Sequence, residues 1–74
     1  MNDLSATEHT MWVNGDCHPW TEGLTISSLL NSFDLAPEMV AVERNHEIVR
    51  RTEFDRVLLS PDDRLEIVRF VQGG

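Results

Sequence analysis

Only one stretch of this chain has the spacing of an amphipathic helix. Ile26, Leu29, Leu30 and Phe33 fall at i, i+3, i+4 and i+7, a single apolar stripe. Thr25 precedes the stripe and suits the N-cap, where a hydroxyl accepts from a free backbone N–H. Asn31, Ser32 and Asp34 should face solvent, and Ala36-Pro37 marks the exit. A lone helix cannot bury its own stripe. The other apolar segments read as strands, so the helix must cover one face of a sheet in a two-layer α+β domain.

The strands are set by their turns. Thr10-Met11-Trp12-Val13 runs into Asn14-Gly15, the preferred pair for a two-residue turn in which both residues take positive φ. The returning strand is Asp16–Trp20, and Pro19 assigns it to a sheet edge because proline donates no ladder bond. Met39–Val42 is a third strand. Glu47-Ile48-Val49 is a shorter one after a turn at Asn45-His46. In the ambiguous segment from Arg50 to Leu59, residues Phe54, Val57 and Leu58 are expected to close the core. Ser60-Pro61-Asp62-Asp63 is a turn, and Leu65–Val71 is the last strand. Residues 1–9 are polar and patternless, and are expected to form a disordered extension ahead of a domain over residues 10–74.

Bulk properties narrow the function. At 74 residues there is one domain and little room for an enclosed active site, so a carrier or binding role is expected rather than an enzyme. Thirteen acids stand against six bases, for a formal net charge of −7. Such a surface repels nucleic-acid backbones and anionic membranes, and suits a partner with a basic docking face. All the bases are arginines, and without lysine no isopeptide chain can be built on a lysine of this protein. Cys17 is the only cysteine, so no internal disulfide can form. No signal-peptide pattern or apolar span is visible, and the expected location is cytoplasmic.

The most informative feature is the tail Gln72-Gly73-Gly74. With glycine at about 7% of residues, a terminal pair arises by chance roughly 0.5% of the time. A carboxylate there is a poor electrophile until it is activated, for example as an acyl-adenylate. The activating enzyme must thread the tail to its ATP, and glycine permits that close approach because it has no Cβ. Sulfide or a persulfide can then displace AMP and leave a thiocarboxylate on Gly74.

Several segments together resemble one family. They are Val40-Ala41-Val42-Glu43-Arg44-Asn45, Glu47-Ile48-Val49, Arg51, Phe54, Asp62-Asp63-Arg64-Leu65-Glu66-Ile67-Val68 and Val71-Gln72-Gly73-Gly74. Asn14-Gly15, Gly23 and Leu29-Leu30 fall in register with them. Over Met11 to Gly74 the chain is similar to the ThiS family, the sulfur carriers of thiamine (thiazole) biosynthesis. The resemblance implies a β-grasp, ubiquitin-like fold: a mixed sheet of four to five strands packed on one helix, with first and last strands adjacent. It also implies a ThiF-like adenylating enzyme, thiazole synthase and a sulfur donor such as a persulfide-bearing desulfurase as partners. ATP is then used by the partner, and the carrier holds no permanent cofactor. A MoaD-like carrier of molybdopterin synthesis is the alternative within the class, although MoaD-like tails usually carry prolines that Val68–Gln72 lacks. A ubiquitin-like protein modifier is the other.

In such a sheet Met11, Val13, Leu65 and Ile67 should point under the helix. Trp12, Val68 and Phe70 then point away and, with neighbouring strands, form a partner-binding patch at the base of the tail. The remaining candidates are weaker. Cys17 reads as a small hydrophobe rather than a nucleophile. His9, His18 and His46 lack metal-ligand spacing with it, although His9 and His18 could approach each other across the hairpin. Asp62-Asp63 is explained by turn chemistry.

Overall fold

Asn14 and Gly15 take φ of 51° and 86°, as a two-residue hairpin turn requires. They join β1 (His9–Val13) to β2 (Asp16–Trp20). A second turn at Asn45-His46, with φ of 51° and 74°, joins β3 (Val40–Arg44) to β4 (Glu47–Val49). The computed structural model describes residues 9–70. In it β5 (Arg64–Arg69) lies between the two hairpins, parallel to β1 and antiparallel to β3. The sheet order is β2-β1-β5-β3-β4, a mixed sheet with the last strand at its centre, the β-grasp arrangement. Pro19 lies on edge strand β2, where a missing N–H is tolerated. His9 was expected in the extension, yet it opens β1 opposite Trp20. The remainder of the extension, residues 1–8, lies outside the described residues.

The single helix α1 (Ile26–Ser32) starts at Thr25, whose hydroxyl accepts from the Ser28 N–H at 3.1 Å. The Ser28 hydroxyl accepts in turn from the Thr25 N–H, completing a capping box. Ile26, Leu29 and Leu30 are buried with Met11, Val13, Val40, Val42, Leu65 and Ile67 from the sheet, so the alternation of β1 and β5 runs as expected. The Trp20 indole N–H donates to the Leu59 carbonyl at 2.7 Å and ties the edge hairpin to the loop of residues 50–59 that covers the core.

Three expectations about the core and its borders need correction. Phe33 was placed on the buried stripe, but it is the helix C-cap and is 39% exposed. The helix stops after seven residues, and Phe33 turns out to meet His18 edge-on at 5.4 Å. The covering loop buries Phe54 as expected, and Val57 packs at the core's margin, but its second fully buried residue is Leu59, with Leu58 60% exposed. Leu58 forms an extended bridge with Thr25, and in extended chain neighbouring side chains point to opposite sides. Met39 was read as strand but ends a short 3-10 turn over Pro37–Met39. No helix among the described residues is long and apolar enough to cross a membrane.

Asp63 does more than make a turn. It is only 6% exposed, and its carboxylate accepts from Arg44 Nε at 2.8 Å, Asn45 Nδ2 at 3.0 Å and the Ser60 N–H at 2.8 Å. It therefore pins the β3–β4 turn to the start of β5. Burial pushes its pKa up, but the Ser60 N–H, the Asn45 amide and the Arg44 guanidinium together outweigh burial and hold it below the ordinary value. A carboxyl whose folded pKa is depressed stabilises the fold above its unfolded pKa, and that contribution is lost as pH falls through the folded value. Urea midpoints should therefore fall as pH drops below about 4. Asp63→Asn should lower the midpoint at neutral pH and flatten that part of the profile. An unchanged profile in the variant would assign the acid sensitivity to other groups.

Candidate functional site

The sheet is built to hold β5, and β5 leads to the tail. On one side β3 pairs with it from Val40 opposite Arg69 to Arg44 opposite Leu65. The Phe70 N–H donates to the Met39 carbonyl at 2.9 Å, so the backbone is anchored through residue 70. On the other side β1 reaches only to Val13 opposite Leu65 before the hairpin turns away. There the Asn14 side chain takes over the role of a strand. Its Oδ1 accepts from the Ile67 N–H at 2.7 Å, and its Nδ2 donates to the Ile67 carbonyl at 3.2 Å. Its own N–H donates to the Leu65 carbonyl at 2.8 Å. A turn residue thus extends the ladder by one more pair. Gln72, Gly73 and Gly74 lie outside the described residues.

The outward face of β5 carries Val68, 58% exposed; Phe70, 47% exposed, follows just beyond the strand's end. Both point away from the helix as the alternation requires. Trp12 also faces outward, but it does not join them. It stands opposite Arg64, whose guanidinium lies 5.5 Å from its ring centroid. Val68 is four residues further along β5, about 13 Å at strand rise. The expected three-residue patch is therefore split by the register of the parallel pair, which adjacency of strands alone does not determine. Val68 instead lies opposite Ala41, and Ile48, 76% exposed, lies on the same outer face through its pairing with Glu43. Ala41 and Ile48 were missed. The signal for Ile48 was its neighbour Val49, but a three-residue strand does not reveal which of its faces is inward.

The histidines do not assemble. His9 pairs with Trp20 and meets its ring edge-on at 5.5 Å, while His18 pairs with Met11. Cys17 is free and exposed on β2, opposite Trp12. Among the described residues no group of three His, Cys, Asp or Glu could hold a metal ion. The arrangement offers a platform, an exposed apolar strip and a strand leading to a glycine-ended tail.

Comparison with known proteins agrees with this reading. The family model described as ThiS family matches residues 11–74. The sulfur carrier protein ThiS of Bacillus subtilis (strain 168) is 41% identical over 63 residues, which cover 84% of this chain and 96% of that one. The crystal structure of the thiamine biosynthesis protein ThiS from Geobacter metallireducens superposes with a TM-score of 0.67 at 33% identity, covering 88% of this chain and 99% of that one. A thiazole synthase of Magnetococcus marinus is 44% identical over 62 residues; these are 84% of this chain but only 19% of the synthase.

Proposed function

Since the chain belongs to the ThiS family, we propose that it is a sulfur carrier for thiamine (thiazole) biosynthesis whose working group is the carboxylate of Gly74. The observation that carries this is the central strand β5, clamped by β3 and by the Asn14 amide, running directly towards Gln72-Gly73-Gly74. A carrier must present its terminus to a second protein while the rest of the domain stays folded. A clamped strand followed by small residues does that.

A ThiF-like enzyme joins the Gly74 carboxylate to the α-phosphorus of ATP and releases pyrophosphate. Sulfide then displaces AMP and leaves the thiocarboxylate directly. Where the nucleophile is the desulfurase persulfide, its terminal sulfur displaces AMP to give an acyl disulfide, and a second thiol reduces that S–S bond to release the thiocarboxylate. The thiocarboxylate donates its sulfur to thiazole synthase. Similarity to part of a thiazole synthase chain supports that last partner. The chain itself acts as a substrate in both reactions. Intact mass after incubation with the adenylating enzyme, ATP and sulfide tests the proposal. A gain equal to exchanging one oxygen for one sulfur, localised to Gly74, is expected. Attachment to a lysine of another protein would point to a modifier instead.

The strip bearing Val68 and Phe70 is the surface we assign to the adenylating enzyme, because it adjoins the tail that the enzyme must aim. Trp12, at the other end of the face, lies outside this contact. Phe70→Ala should weaken binding by about 1–3 kcal/mol, as loss of an aromatic anchor does. The melting temperature should barely move, since the ring is 47% exposed. Titration calorimetry and a thermal melt separate the two effects. A large stability loss with unchanged affinity would move Phe70 into the core.

A further inference from the structure

Strand β4 has three residues and pairs only with Val42, Glu43 and Arg44. The first residues of β3 therefore have no strand beside them on that side. A groove of about 300 Å³ occupies the space, with Ala41, Ile48, Val49, Arg50, Arg51 and Phe70 among its lining residues. That volume is at the small end of ligand sites and suits a side chain better than a cofactor. Phe70 is the last described residue before the tail, so the groove abuts the tail's root.

Its charge opposes that of the molecule. The chain has 13 acids and 6 arginines, yet the groove lining includes Arg50 and Arg51 and no carboxylate. Among the described residues neither arginine is in an ion pair; the ion pair there joins Arg44 to Asp63. Arg51 Nε donates to the Pro37 carbonyl at 3.1 Å, which holds its guanidinium beside the 3-10 turn preceding β3.

We infer that this groove seats an extended, acidic segment of the adenylating partner, one apolar side chain lying against Ile48 and Phe70 while flanking carboxylates pair with Arg50 and Arg51. Charge complementarity selects this occupant. An acidic segment is repelled by a surface at −7 as a whole and attracted where Arg50 and Arg51 stand together with no carboxylate in the lining, so attraction and repulsion together favour docking there. The basic partner face suggested by the net charge then serves long-range steering, while the contact at the tail's root has the opposite sign.

The inference rests on the carrier reading above. Pyrophosphate exchange by the adenylating enzyme, measured against carrier concentration, tests it. Arg50→Glu should raise KM about tenfold with kcat unchanged, because the charge acts in docking and not in chemistry. Arg50→Gln, which removes the charge without reversing it, should raise KM by a smaller factor. Arg56→Glu makes the same change in net charge on an exposed residue outside the groove and should leave KM within about twofold. Equal KM values for Arg50→Glu and Arg56→Glu, with wild-type protein adenylated normally, would overturn the groove assignment alone. Wild-type protein that is never adenylated would overturn the carrier reading and the groove with it.

Discussion

A chain lacking Gly74 should fold as the full chain does and should fail to be adenylated. Among the described residues every buried core residue lies between Met11 and Ile67, and β5 ends at Arg69. Removing the last residue therefore leaves the described core and sheet intact. The effect on chemistry is large because the reacting group moves. The new terminal carboxylate belongs to Gly73 and falls short by one residue, about 3.5 Å of extended chain. In-line attack on phosphorus needs the reacting atoms roughly 3–3.5 Å apart, and a misplacement of about 1 Å already costs about 100-fold in rate. A clamped strand cannot slide forward to compensate, since β3 and Asn14 hold β5 in register. Pyrophosphate exchange should fall by at least about 100-fold with an unchanged thermal melt. Exchange at the wild-type rate would show that Gly74 is not the activated residue.

Leu29→Ala should be a severely damaging truncation on the helix. Leu29 is 1% exposed and belongs to the core cluster formed with Met11, Leu65 and Ile67. Deleting its buried methyl groups removes their transfer free energy and leaves a cavity, for about 2–5 kcal/mol. Small domains have about 5–15 kcal/mol in total, so much of the stability goes. At about 4–8 °C per kcal/mol, the melting temperature should fall by about 8 °C or more. Leu58→Ala is the internal control. Leu58 is 60% exposed, and its truncation should stay within about 0.5 kcal/mol. Urea midpoints for the two variants should therefore separate widely. Equal midpoints would mean that the helix stripe is not the core.

Much of this could be read without coordinates, and the reason is locality. Asn14-Gly15 and Asn45-His46 place their turns because the backbone there needs positive φ, a property of the residues themselves. Thr25, Ile26, Leu29 and Leu30 place the helix by capping and spacing over a few residues. The alternation of Met11, Trp12 and Val13, and of Leu65 through Val68, follows from strand geometry. The glycine-ended tail and its chemistry needed no fold at all.

What stayed hidden depends on register and on pairs distant in the chain. Asn14 is legible as a turn residue, but its clamp on Ile67 joins residues 53 positions apart. Asp63 reads as part of a turn until Arg44 and Asn45 are brought to it across the sheet. The separation of Trp12 from Val68 follows from which residue of β1 faces Arg64, a choice made by packing under the helix. The same packing ends the stripe at Leu30, exposes Phe33, and turns Leu59 inward instead of Leu58. Local backbone preference and side-chain spacing are written along the chain and determine its elements, its turns and its glycine-ended tail. Register, burial and the cationic groove beside Phe70 arise only when distant segments share one core, and so the tertiary structure alone decided them.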